Sequence, residues 1–340
     1  MYNVGAYGSM IADRVRVEAY AEALRKSVRP GSVVVEIGTG PGIFAVLACQ
    51  FGAGRVYAIE PGEIIQVARE VAAANDCTEK IQFFEELSDR VTLPGRADVV
   101  FSDLRAVLPL FQRHIPAIID ARSRFLVPGG TMIPRKDTLW AAIVEAPKPY
   151  GETVDPWDRN PFGQNLNSAR QIAVNNVRKV RVSPGQLLTG HRLWTTLDYA
   201  GVENPDVQGN LEWTVERAGT GHGIVVWFDA DLAEDVGFSN APYVPETVYG
   251  SLFFPWTEAR PWRRAKPFAW ALRQNCWKTS TSGDGLRALS RAKDRVPPSF
   301  ILSNRSWPEP CCLPRSFTGW RRTTFRNSPR RGSCAAELSN

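Results

Sequence analysis

The sequence predicts an α/β chain in three parts: a doubly wound parallel sheet over residues 1–135, an antiparallel β-barrel or sandwich over 136–258, and an irregular basic tail over 259–340. Three observations carry this. Apolar strand-like runs alternate with helical runs up to about Arg135. From Lys136 onward, short runs rich in Trp, Val and Thr are separated by turn residues. Past Arg260 the sheet-forming residues vanish: the last 80 positions hold one valine and one isoleucine, whereas the first 260 hold 30 valines.

Residues 9–28 repeat Ile11, Val15, Tyr20, Leu24 and Val28 at helical spacing, and Arg29-Pro30-Gly31 ends that helix. SVVVEIG (32–38) is a continuous β-branched run, the pattern of a strand buried on both faces. A helix (GIFAVLACQF), a strand (RVYAIEP), a helix (EIIQVAREVAAAN) and two strands (IQFFE and ADVVFSD) follow. The next helix, over 110–126, has Phe111, Ile115, Ile118, Ile119 and Phe125 on one side. Pro128-Gly129-Gly130 then turns the chain into another strand. This alternation is that of a Rossmann-like sheet. In the second part the strands are DTLWAAIVEA, RLWTTLDYA, NLEWTVERA, GIVVWFDADL and VYGSLFF, with a Pro- and Asn-punctuated excursion at 155–180 that is helical in its middle. Cys49 and Cys77 fall in helical stretches and read as reduced core thiols.

The net charge of +6 is a composite. The last 80 residues carry 16 Lys+Arg against 4 Asp+Glu, and the first 260 carry 25 against 31. Nucleic acid is therefore expected to bind only non-specifically, through the tail. That tail reads either as a disordered basic segment or as the product of a shifted reading frame, and the abrupt loss of Val and Ile favours the second. No apolar run reaches the roughly 18 residues of a membrane span and the N-terminus lacks a signal-peptide core, so a cytoplasmic protein with no membrane partner is expected. His114, His191 and His222 are scattered without ligand spacing, and no metal site is expected.

The chemistry is concentrated in VVVEIGTGPGIFAVLACQFGAGRVYAIEP (33–61). A strand entering glycines and then a helix is a nucleotide site in general form. The glycines are Gly38, Gly40 and Gly42, and Ile43 stands where a dinucleotide site needs its third glycine, so NAD is disfavoured. Glu60 ends the next strand, where a carboxylate accepts hydrogen bonds from two ribose hydroxyls. Glu36 precedes the turn and puts negative charge near a cationic amino group. A ligand with both a ribose and an amino-acid end, S-adenosylmethionine, answers this pair of acids.

Several segments together resemble the protein arginine methyltransferases, in a divergent bacterial form. They are GSMIADRVRVEAY, the glycine segment above, LSDRVTLPGRADVVFSDL, ARSRFLVPGGTMIPRKDTLW and WFDADLAEDVGFSNAPYVPETVYGSLFFP, all within residues 1–258. The resemblance implies an S-adenosylmethionine-binding sheet, a substrate-side barrel, and a helical arm at about 155–180 that makes a homodimer. It implies that Arg16 holds the cofactor carboxylate and that Ser88 and Asp89 lie beside adenine. It further implies an acceptor loop at SDLRAVLPLFQ, where the family's two glutamates have become Asp103 and Gln112 and where Arg105 stands nearby. The family's Thr-His-Trp segment corresponds to Thr247, Val248 and Tyr249, so its histidine is missing. The expected activity is methyl transfer to a protein arginine. Alternatives are N- or O-methylation of a small molecule, since one shortened carboxylate suits a less planar nucleophile, and cofactor binding without catalysis.

Overall fold

Three valines followed by Glu36 and Ile37 offer no polar face, and they form the central strand of a wholly parallel sheet. The computed structural model describes residues 4–111, 113–204, 206–264, 267–275 and 300–303. The first part runs α1 (Val4–Ala12), α2 (Arg14–Ser27), β1 (Val33–Ile37), α3 (Ile43–Gln50), β2 (Arg55–Ile59), α4 (Ile65–Ala74), β3 (Ile81–Phe84), β4 (Ala97–Ser102), α5 (His114–Arg124) and β5 (Leu126–Ile133). The strand order is β3-β2-β1-β4-β5. It reverses direction at β1, so the crevice beyond the C-terminal ends of β1 and β4 is the place for a ligand.

Three local readings are corrected. The helix expected over 9–28 is two helices, because the Asp13 side chain accepts from the Arg16 backbone N–H and caps α2. The helix expected from 110 begins at His114. The turn expected at Pro128-Gly129-Gly130 lies inside β5, where a register shift against β4 absorbs it. Cys49 lies in α3 and Cys77 just after α4; both are buried and free.

The second part runs β6 (Lys136–Val144), α6 (Pro147–Asp158), α7 (Asn167–Val174), β7 (Arg178–Val180), β8 (Arg192–Asp198), β9 (Val207–Thr214), β10 (Gly219–Ala233), β11 (Val236–Ser239), β12 (Ser251–Trp262), β13 (Pro267–Asn275) and β14 (Phe300–Ser303). One sheet has the order β7-β12-β10-β6-β8, with β11 on β10, and all of these pairs are antiparallel. In the long β10 the residues Ile224, Val226 and Phe228 join the core shared with the parallel sheet. Their neighbours Val225 and Trp227 pack with Tyr150 and Val154 of α6 and Val174 of α7. Period-two alternation thus gives one strand two apolar faces, one for the core and one for the helical excursion.

The expectation that no strand could be built past 260 is also corrected. β12 continues to Trp262, β13 pairs antiparallel with β9, and β14 pairs parallel with β13. Phe268, Trp270 and Leu272 alternate in Pro267–Asn275, a local period of two that the composition of the whole segment hides. The rest of the basic tail lies outside the described residues. Among the described residues no helix is long and apolar enough to cross a membrane.

Candidate cofactor and acceptor site

Between β1 and α3 the backbone turns through three left-handed glycines, Gly38 (φ +79°), Gly40 (φ +53°) and Gly42 (φ +85°). A Cβ on each would meet, respectively, Leu104 Cδ2 at 2.6 Å, the Tyr7 ring at 2.9 Å and Ala68 Cβ at 2.9 Å. The turn is therefore enclosed by the loop after β4, by α1 and by α4, and only glycine combines that backbone with that space. Its backbone is tied to β2: Gly38 N and Thr39 N both donate to Ile59 O, at 2.8 and 3.1 Å.

The two acids flank this turn. Glu60 accepts from Gly40 N (3.1 Å) on one oxygen and from Gly62 N (3.0 Å) on the other. Burial raises its pKa, and the two backbone donors work against the rise. Each oxygen keeps a further lone pair for a ligand hydroxyl. Glu36 is buried; its carboxylate accepts from the Thr39 hydroxyl at 2.7 Å. Burial pushes its pKa up to about 8, against the Thr39 and Ala45 hydrogen bonds that lower it. Neither of those donors carries charge, so a cation brought to this site would draw Glu36 toward its ionised form, in the direction in which Arg16 already acts. Glycines that a Cβ would obstruct, a buried acid with neutral partners and a strand-end acid with spare lone pairs fit S-adenosylmethionine.

Arg16, on the buried face of α2, does not stand alone. Its Nη2 and Nε lie 2.6 and 2.7 Å from Asp103 Oδ2, and the Tyr249 hydroxyl donates to that same oxygen at 2.6 Å. Burial opposes the charge of Arg16, but Asp103 and Tyr249 hold its pKa above the usual arginine value. The structure thus joins two residues assigned separate tasks, one for the cofactor and one for the acceptor. The other oxygen of Asp103 accepts from Arg105 Nη1 at 3.2 Å.

Arg105 opens a second, fully buried cluster. Its Nε donates to Asp137 Oδ2 at 2.7 Å, and its Nη1 also bonds the Tyr20 hydroxyl. Tyr199 donates to Asp137 Oδ2 at 2.5 Å, and His114 Nε2 shares a 2.9 Å hydrogen bond with the Tyr199 hydroxyl. Burial opposes the charge on Arg105, yet Asp137 keeps its pKa raised. Burial and the nearby Arg105 drive the pKa of His114 well below its usual value, so this histidine is neutral. Arg105 Nη2 and Asp137 Oδ1 have no hydrogen-bond partner among the described residues.

Ser88 and Asp89 bond to partners outside this cluster. Ser88 is buried in a short 3-10 turn (Ser88–Arg90), where its carbonyl accepts from Arg124 Nη2 at 2.6 Å. Asp89 forms an ion pair with Arg113. Gln112 lies outside the described residues. Sequence reasoning missed Asp13, whose second oxygen accepts from Val248 N at 2.7 Å and ties α2 to the 247–249 segment. It also missed Tyr7, Tyr249, Asp137, Tyr199 and His114. The available signal was the resemblance at 247–249, which marked a lost histidine and not the tyrosine hydroxyl beside it.

Known proteins share this architecture. Residues 19–139 match the model of the ribosomal protein L11 methyltransferase, and residues 135–263 match that of the arginine methyltransferase oligomerization subdomain. Probable protein arginine N-methyltransferase 6 of Arabidopsis thaliana is 30% identical over 240 residues, covering 68% of this chain and 55% of the relative, so the chain spans about half that relative's length. Protein arginine N-methyltransferase 1 of Dictyostelium discoideum is 26% identical over 246 residues, 70% of this chain and 72% of the relative. Among solved structures, the Trypanosoma brucei PRMT1 enzyme–prozyme heterotetramer with AdoHcy superposes with a TM-score of 0.75 at 19% identity, covering 83% of this chain and 90% of that one. Arabidopsis thaliana protein arginine methyltransferase 10 gives 0.70 at 21% identity, covering 79% and 87%. The similarity to these structures establishes the fold.

Proposed function

Since the chain belongs to the protein arginine methyltransferase-like, S-adenosylmethionine-dependent methyltransferases, we propose that it methylates a guanidinium nitrogen of arginine in a protein. The observation that carries this reading is the state of Asp103. Beside the glycine turn, its Oδ2 already holds a planar guanidinium, that of Arg16, through two N–H donors.

When bound, S-adenosylmethionine supplies a methyl group activated by its sulfonium charge. The chain's residues do the positioning. Gly38, Gly40 and Gly42 admit close backbone approach, Glu60 accepts from the ribose, and Glu36 faces the amino group. Arg16 would pair with the cofactor carboxylate, a charge-assisted pair of the kind it makes with Asp103 here. Asp103 then orients the acceptor guanidinium and takes up the proton released from its nitrogen, which is proximity and orientation catalysis. Ser88 and Asp89 would lie on the adenine side, and Gln112 is assigned to the acceptor loop from the sequence resemblance alone.

We read residues 1–135 as the cofactor part and 136–258 as the acceptor-side barrel; the two matched models meet at 135–139, which supports that division. A homodimer through the helical excursion is supported by the matched oligomerization subdomain and by Phe162 and Ile172, which are 82% and 67% exposed. A cytoplasmic location is supported by the two buried free thiols.

The test is transfer of labelled methyl from S-adenosylmethionine into cell lysate by the full chain. The reading predicts label in protein, recovered as methylarginine after acid hydrolysis. Label confined to small molecules would favour the alternative acceptor, and no transfer despite cofactor binding would favour a protein without catalysis.

A further inference from the structure

We propose that Arg105 determines acceptor specificity: it is an internal guanidinium that permanently occupies one oxygen of Asp103, so that an acceptor is gripped through the other oxygen alone. This rests on the reading of Asp103 as the acceptor carboxylate.

The two arginines on Asp103 are held differently. Arg16 bonds Oδ2 from a side chain that is 10% exposed, whereas the Arg105 side chain has no exposure at all. Arg105 is bonded by Asp137 and the Tyr20 hydroxyl, and the rings of Tyr20, Phe228 and Phe238 lie 5.5–5.8 Å from its guanidinium carbon. Its departure would strand Asp137, a carboxylate with no solvent contact, beside a tyrosine and a neutral histidine. An unpaired buried charge is strongly disfavoured, so Arg105 stays. Arg16 would have a second carboxylate to go to, that of the cofactor, which would leave only the Tyr249 hydroxyl on Oδ2.

A planar guanidinium grips a carboxylate best as a fork on both oxygens. With the immovable Arg105 standing on the Oδ1 side, an acceptor approaches Oδ2, the oxygen on which Arg16 places two N–H donors here, and the fixed positive charge of Arg105 lies behind the carboxylate. The site therefore disfavours the two-oxygen clasp and holds a guanidinium on Oδ2 alone, as it holds Arg16 here.

The experiment removes both buried charges together, so that neither is left unpaired. Arg105→Met/Asp137→Asn, Asp103→Ala and the parent are titrated calorimetrically with methylguanidinium and with methylammonium, each in the presence of S-adenosylhomocysteine. The double variant is expected to bind methylguanidinium about tenfold more tightly than the parent, the gain of one charge-assisted hydrogen bond. Methylammonium, which uses one oxygen, should gain less, and S-adenosylhomocysteine affinity and cooperative melting should be unchanged. An unchanged or weaker methylguanidinium affinity in the double variant, with Asp103→Ala still abolishing binding, overturns the role of Arg105 alone. If Asp103→Ala leaves methylguanidinium binding intact, the acceptor reading of Asp103 fails and the proposal falls with it.

Discussion

Asp103 Oδ2 lies 2.6 Å from Arg16 Nη2, and this ion pair joins the first turn of α2 to the tip of β4. Tyr249 from the barrel side closes on the same oxygen. One carboxylate thus collects an N-terminal helix, the parallel sheet and the antiparallel sheet at the mouth of the glycine turn. Its loss should disturb acceptor chemistry more than cofactor binding, because, of the residues assigned to the cofactor, Arg16 bonds to it, whereas Gly38, Gly40, Gly42, Glu36 and Glu60 do not.

Asp103→Asn keeps the shape and removes the charge. Turnover on an arginine peptide should fall by about two orders of magnitude or more, as expected when an orienting group is lost. S-adenosylmethionine affinity should change by no more than roughly threefold, since less than about 0.7 kcal/mol is at stake. Initial rates at saturating cofactor and a calorimetric titration check the two halves.

Glu36 gives a pH dependence with a definite sign. Burial raises its pKa from the ordinary glutamate value of 4.5 to about 8, so the folded state binds the extra proton between those values. Stability carried by this group is complete below about pH 4.5 and is lost as pH rises toward 8. A cationic ligand favours the ionised form, so S-adenosylmethionine affinity should rise as pH increases from 6 to 8, by up to about tenfold per unit. In Glu36→Gln the component due to this residue should vanish from both the melting profile and the binding profile.

Gly42→Ala tests the turn from the side away from the acceptor. At φ +85° the new Cβ would sit 2.9 Å from Ala68 Cβ and 3.1 Å from its Cα, with no flexible side chain to give way. The cost should be about 1–3 kcal/mol, or roughly 2–4 °C in Tm per kcal/mol. A calorimetric melt reads it directly.

Asp13 holds α2 with one oxygen and the 247–249 segment with the other. Asp13→Ala should cost about 1 kcal/mol for the lost cap and slow turnover by releasing Tyr249. Asp13→Asn keeps the capping oxygen and should recover most of the stability. Paired melting curves and initial rates separate the two contributions.

The glycine turn was legible in the sequence because its information is local: residue type, spacing and the flanking β-branched run. So was the alternation that builds both sheets. Asp103 and Tyr249 as partners of Arg16, and Asp137 and Tyr20 as partners of Arg105, were not, because each lies tens to hundreds of positions from its arginine and no periodicity links them. Arg105 was visible only as a nearby cation; that it is wholly buried and paired with Asp137 depends on the barrel packing over it. The break at Asp13 escaped because the apolar spacing of 9–28 continues across it, while the cap is a single side-chain hydrogen bond. β13 escaped because eight prolines and sixteen cations in the surrounding 80 residues outweighed nine residues of alternating pattern.

The most direct test is a crystal structure of the full chain with S-adenosylhomocysteine. The account predicts the ligand's amino-acid end at the Gly38–Gly42 turn, its ribose hydroxyls on Glu60, the Arg16 guanidinium moved onto the ligand carboxylate, and Arg105 still on Asp103 Oδ1. A ligand bound elsewhere, or bound at the turn with Arg16 still paired to Asp103, would contradict it.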